Sequence, residues 1–246
     1  MLQFLTNRLQ SRTAGVCFCT LAIREPYRRR ARRLVENAPR LRWLVLTDQP
    51  EDFQGLPVRA VHHEPTGPMA EEFVTKLGWT ANGRGRPAYH DKRFVFQAAL
   101  EEFETALFLD ADSRISSVPG LPAFPPGIAV VKDVDATIAE HLSRYGPDRL
   151  PAFEALAVQL TGSAETLKQA RWCSEALIAI TKDGNESRFF DAWAESAEFL
   201  HSRNVFTGEG GVIGLAAHCA GWNVDYKTLT RLAASTRHEG RGPKAT

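Results

Sequence analysis

The stretch YHDKRFVFQAALEEFETALFLDADSRI, residues 89–115, decides how this chain is read. From His90 to Phe103 apolar residues return at helical spacing, with Val95, Ala99 and Phe103 in line. The run ALFL, residues 106–109, follows at once and reads as a strand, so Asp110 and Asp112 stand where that strand ends. In a strand, successive side chains point to opposite faces. Where the strand frays into a loop, two carboxylates one residue apart can converge on one ion. Oxygen pairs of that kind suit a hard divalent cation such as magnesium or manganese, which can bridge onward to phosphate oxygens.

On the amino-terminal side, GVCFCTLAI (15–23) and RWLVLT (42–47) are short, apolar and β-prone, and both read as buried strands. Between them EPYRRRARRLVENAP (25–39) predicts a helix, with Pro26 in its first turn and Tyr27, Ala31 and Leu34 or Val35 on its inner face. A third strand is expected over 57–61, followed by a Gly- and Pro-rich loop from Thr66 to Pro87 that is a candidate lid. On the other side, GIAVVKDV (127–134) reads as a strand, and Ala136 to Gln169 as helix broken at Gly146, Pro147 and Pro151. A strand over 176–180 then leads into a helix over 186–200 with Phe189, Trp193, Ala197 and Leu200 inward, and another helix begins near Gly210 with Val212, Leu215 or Ala216 and Cys219 on its apolar face. Strands alternating with helices predict an α/β fold with a mainly parallel sheet, whose ligands bind beyond the carboxyl ends of the strands. The reading is one domain over 1–246, with a helical insertion at 134–172 and a C-terminal tail at 230–246 whose last stretch, RHEGRGPKAT (237–246), reads as irregular.

Composition narrows the function classes. With 43% hydrophobic and 24% charged residues and a formal charge of +1, the chain is an ordinary globular sequence with no general case for nucleic acid. The arginines Arg28, Arg29, Arg30, Arg32 and Arg33 fall between the apolar positions of one amphipathic helix and read as a solvated face, leaving at most peripheral recruitment to a membrane. Cys17, Cys19, Cys173 and Cys219 lack CxxC spacing, so neither a zinc site nor a disulfide framework is indicated, and a reducing cytoplasm is the expected compartment. The amino-terminal residues lack the apolar run of a secretory signal, and no stretch is long enough to span a bilayer.

A helix carrying Lys92 and Arg93 near its start that runs into an apolar strand ending Asp-Ala-Asp resembles the GT-A glycosyltransferases. The resemblance implies a Rossmann-like nucleotide-sugar transferase fold in which Asp110, Ala111 and Asp112 meet metal, diphosphate and donor ribose, with Lys92 or Arg93 approaching the donor. In the tail, His238 and Lys244 are six residues apart. That spacing resembles the glycogenin-like and bacterial galactosyltransferase-like branch, where the histidine completes the metal site and the lysine meets the diphosphate. Here the residues after the lysine are Ala245 and Thr246 rather than the proline and tryptophan usual in that branch.

VFTGEGGVIGLAAHCAGWNV (205–224) resembles the acidic patch that supplies the acceptor-side carboxylate in many GT-A enzymes, and only Glu209 matches it because the second acid is Gly210. The resemblance makes Glu209 the expected catalytic base, while its plain reading is an acid favouring a helix dipole. Thr20, read at the end of the first strand, and Asp48, after the second, match places that hold the nucleotide, and Glu175 a place for an acceptor-side group; Trp172 and Trp222 are candidates for an acceptor platform.

The implied activity is transfer of a hexose from a nucleotide sugar, a uridine nucleotide by default, to a saccharide or lipid-linked hydroxyl with manganese or magnesium. Retention and inversion both stay open. A non-catalytic nucleotide-sugar module is an alternative, as is a haloacid-dehalogenase-like phosphatase using Asp110 and Asp112. The phosphatase reading is weaker, because a hydroxyl residue is expected at Arg114.

Overall fold

The computed structural model describes residues 15–66, 88–117, 120–131, 136–203, 205 and 209–238. Four apolar runs form parallel strands: β1 (Val16–Ala22), β2 (Trp43–Thr47), β3 (Val58–His62) and β4 (Thr105–Leu109). Two more, β6 (Gly127–Val130) and β7 (Leu177–Thr181), complete a six-stranded sheet in the order β3-β2-β1-β4-β7-β6. Strand β7 runs antiparallel to both its neighbours, so β6 points the same way as the first four. The sheet is therefore mainly parallel and, with helices on both faces, has the α/β architecture expected of a GT-A-like chain.

The central strands are almost wholly apolar because both faces are covered, whereas edge strand β3 carries Arg59 and His62 and is only partly buried. On one face Cys17, Cys19, Leu44, Leu46, Ala106 and Phe108 pack into the larger core with α2 (Lys92–Glu102), α5 (Glu186–Ser202) and α6 (Gly210–Cys219). On the other, Val16, Phe18, Val45, Leu107 and Leu109 pack with α1 (Glu25–Asn37) and α7 (Thr230–Ala234). The stretch read as broken helix forms α3 (Ile138–Tyr145) and α4 (Leu150–Thr161). It buries Ile138, Leu142, Phe153, Leu156 and Ala157 in that same larger core. Thr137 begins α3 with a capping box to Glu140, Pro151 lies in the first turn of α4 rather than breaking a helix, and Gly162 ends α4 in a left-handed turn at φ 80°.

Three expectations change. Helix α1 is turned so that Arg28, not Tyr27, joins Ala31, Leu34 and Val35 inside; Tyr27 is 43% exposed and Arg28 8%. The reason is electrostatic, since Asp48, just after β2, and Asp52, in the turn Pro50–Phe53 that follows, both pair with Arg28. The tail is not irregular throughout, because Thr236–His238 forms β8, which pairs antiparallel with β5 (Ser113–Ile115). Ser113 stands opposite His238 in that ribbon, and Ser116 ties it further through Ser235. Finally, α6 is buried along most of its length rather than on one face, and its glycines make this possible. A Cβ on Gly214 would lie 1.9 Å from the Arg171 carbonyl oxygen, and one on Gly210 would lie 2.3 Å from that of Cys173. Among the described residues no helix is long and apolar enough to cross a membrane.

Candidate active site

Strands β1, β2 and β4 end on one edge of the sheet, and the chain enters β7 there. The Asp110 N–H donates to the Ala176 carbonyl at 3.1 Å, carrying the β4–β7 ladder one step past the strand. This sets Asp110 beside Glu175 and Ala176. The chain then turns, with Ser113 N–H donating to the Asp110 carbonyl, and enters β5. Asp110 and Asp112 are thus held at the end of a central strand. Their side chains are 24% and 15% exposed, and Ala111 between them is buried.

Lys92, the first residue of α2, supplies the charge beneath Asp110. Its Nζ lies 2.9 Å from Asp110 Oδ1 and 2.8 Å from Glu209 Oε2, donates to the Glu175 carbonyl at 3.3 Å, and sits 4.9 Å from the centre of the Phe108 ring. Burial alone would lower the pKa of this ammonium. The carboxylates of Asp110, Glu209 and Glu175 more than reverse that, and it is held above its usual range. Burial pushes the Glu209 carboxyl well above the usual range; Lys92 opposes this, while Glu175 and Asp110 add to it.

Glu209 is fully enclosed, at 0% exposure, and this corrects its expected role. A base that takes a proton from an acceptor hydroxyl must reach it, and this carboxylate reaches Lys92 instead. Nor does Glu209 cap α6. The first N–H of that helix, on Gly210, donates to Glu175 Oε1 at 2.7 Å, so the capping acid is Glu175. That contact also accounts for Glu175, which was expected to face an acceptor.

The remaining candidates separate. Thr20 is placed inside β1 at 0% exposure rather than at its open end, because Leu21 and Ala22 extend the strand beyond it; among the described residues its Oγ1 has no partner. Asp48 does stand at the edge, but its oxygens accept from the Arg24 N–H at 3.1 Å and from Arg28 Nη1 at 2.9 Å. The same Arg28 guanidinium donates to Asp52 at 2.6 Å and to Gln49 at 2.9 Å. Asp48 thereby holds the β1–α1 turn, in which Arg24 takes φ 74° and ψ 152°, a region that side chains rarely adopt. Arg93 is buried, donates to the His90 carbonyl at 3.0 Å and stacks 4.2 Å from the Phe94 ring centre.

Two aromatic expectations also change. Trp172 lies near this edge, but His141 is stacked on its ring at 3.6 Å and the indole packs against Gly210 and Gly211. Trp222 stacks on Phe189 at 4.6 Å and donates to Asp183 at 2.7 Å, near Gly127, on the edge opposite Asp110. His238 is brought alongside Ser113 through its backbone. Lys244 and the loop from 67 to 87 lie outside the described residues, although Thr66 at the start of that expected lid is placed.

Two features were missed in the sequence. Arg30 of α1 lies 3.6 Å from Asp112 Oδ2, so the supposedly solvated arginine helix faces acids at Asp48, Asp52 and Asp112. Asp91, buried just before α2, accepts from Thr66 through both its N–H, at 2.9 Å, and its hydroxyl, and lies 3.1 Å from His63 Nε2. Burial would raise the Asp91 carboxyl, but the contacts with His63 and Thr66 outweigh it and hold the group below its usual range. Nothing in the sequence pattern marked either feature, because each depends on an acid or a base brought in by a distant segment.

No family model matches the chain, and no curated protein matches it. Among solved structures, one described as PaToxG Glycosyltransferase is similar at 14% identity and a TM-score of 0.39, over 88% of this chain and 76% of that one. Mouse xyloside xylosyltransferase 1, in its apo form, is similar at 10% identity and a TM-score of 0.35, over 85% and 84%. Both are glycosyltransferases. Neither likeness is close enough to carry chemistry from those proteins to this chain.

Proposed function

We propose that this chain is a glycosyltransferase that takes its donor as a nucleotide sugar, with a divalent cation held by Asp110 and Asp112. One observation carries the reading: two partly exposed carboxylates stand at the end of central strand β4, and the β5–β8 ribbon lays His238 beside Ser113. The two carboxylates supply the oxygen ligands that magnesium or manganese takes, and His238 is the proposed third ligand. Bound there, the cation supplies Lewis-acid neutralisation of the charge that grows on the departing nucleoside diphosphate. Lys92 keeps Asp110 fixed, and Glu209 keeps Lys92 charged and aimed, so Glu209 acts in this reading as a positioning residue. Lys244 balances charge on the diphosphate. A uridine nucleotide is the proposed donor base, and a saccharide or lipid-linked hydroxyl the proposed acceptor.

The test is a panel of nucleotide sugars with manganese, read as donor hydrolysis without acceptor. Slow hydrolysis of one donor, lost in the Asp110→Ala, Asp112→Ala double variant, is the expected result. Binding without turnover would point to a nucleotide-sugar module. Hydrolysis of simple phosphomonoesters through Asp110 would point to a phosphatase.

A further inference from the structure

Each member of the aspartate pair has a basic residue of its own, and the two differ in freedom. Lys92 is enclosed, with its side chain 7% exposed, and cannot leave without abandoning Glu209 in the interior. Arg30 is different. Its side chain is 40% exposed, and its Nη1 is 3.6 Å from Asp112 Oδ2, longer than a hydrogen bond. It projects from α1 beside the exposed Tyr27, whose ring centre is 5.6 Å from the guanidinium carbon. Turning this guanidinium away costs little, because a part-exposed ion pair at that distance is weak.

We propose that Arg30 couples the cation to the diphosphate: it opposes a bare divalent cation at Asp112 and favours the same cation when it arrives with a nucleoside diphosphate. The inference rests on the proposed transferase reading and adds a residue to its site. With no diphosphate present, the guanidinium and an incoming cation compete for the field of one carboxylate, so the protein alone binds the cation less tightly. A nucleoside diphosphate reverses the sign. It brings more negative charge than the cation cancels at this edge, and a planar guanidinium matches phosphate oxygens in pairs. Lys92 cannot make this exchange, since it is tied to Glu209 and to the Glu175 carbonyl. The consequence is an order of loading, in which the cation enters on the nucleotide rather than ahead of it.

The experiment is titration calorimetry of the full chain at low salt, first with manganese chloride alone and then with UDP at saturating manganese. Arg30→Gln should bind manganese alone about threefold tighter, from loss of one partly screened charge, and should bind UDP with manganese about tenfold more weakly, from loss of a charge-assisted contact. Arg30→Lys keeps the charge and should leave manganese binding near wild type while recovering only part of the UDP affinity. Unchanged or weaker manganese binding in Arg30→Gln overturns the proposal, as does unchanged UDP affinity. If wild type binds UDP with manganese and Asp112→Asn abolishes it, the transferase reading survives either result for Arg30. If wild type binds neither, that reading fails and the coupling falls with it.

Discussion

Asp48 and Asp110 each follow the last residue of a parallel strand, on the same edge of the same sheet, and have opposite surroundings. Asp48 is spent on its own scaffold, taking the Arg24 N–H and the Arg28 guanidinium and closing the β1–α1 turn. Asp110 faces one enclosed ammonium shared with Glu209 and is followed by a second carboxylate, Asp112. An acid at the end of a strand is therefore not a binding group by position alone. What it does depends on whether the neighbouring helix delivers a guanidinium that saturates it or an enclosed ammonium that it shares with another carboxylate.

The widest separation between the two acids should appear in turnover. Asp110→Ala with Asp112→Ala is expected to reduce donor hydrolysis on the order of 10²–10³-fold, whereas Asp48→Ala stays within a few-fold; equal losses in the two would erase the distinction. Next in size is the buried pair. Lys92→Met strands Glu209 and should cost about 3–5 kcal/mol in urea unfolding, and Lys92→Met combined with Glu209→Gln should recover part of it. A double variant no better than the single would mean the pair is not the source. Asp48→Ala should itself cost about 1–3 kcal/mol, as expected for removing a hydrogen-bonded partner of a mostly buried guanidinium. No change in unfolding midpoint would remove Asp48 from the scaffold.

The smallest effect concerns Asp91, at the same edge and paired with His63 and Thr66. Its folded carboxyl lies below the usual value, so the stability it confers is present above the unfolded value, about pH 4. It is lost as pH falls through the lower folded value. Asp91→Asn should be less stable than wild type near neutrality by about 1–2 kcal/mol, and the gap should close in acid. A gap that stays constant with pH would show that the carboxylate charge is not what matters.

Local pattern made much of the fold legible. The runs at 15–23, 42–47 and 106–109 are apolar without alternation because both faces of a parallel sheet are covered, and that much is written in the residues themselves. The helix leading into Asp110 and the strand–helix order were readable for the same reason. The site was legible as far as Asp110 and Asp112, whose spacing is local, and much less so beyond them. Thr20 was placed at an open end because a strand's last residue is hard to locate from sequence, and two more residues extend it. The arginine helix looked solvated because periodicity reports which positions alternate, and says nothing about which acids another strand will bring underneath.

From the sequence alone came the α/β class, the position of the aspartate pair after a buried strand, and the inward faces of α2 and α5, since each depends on residues within a turn or two of one another. The antiparallel run of β7, the pairing of β8 with β5, and the meetings of Arg28, Arg30 and Lys92 with Asp48, Asp112 and Glu209 emerge only from long-range packing. Side-chain periodicity is a short-range property of the backbone, whereas an ion pair between distant residues exists only once the whole chain has chosen its path.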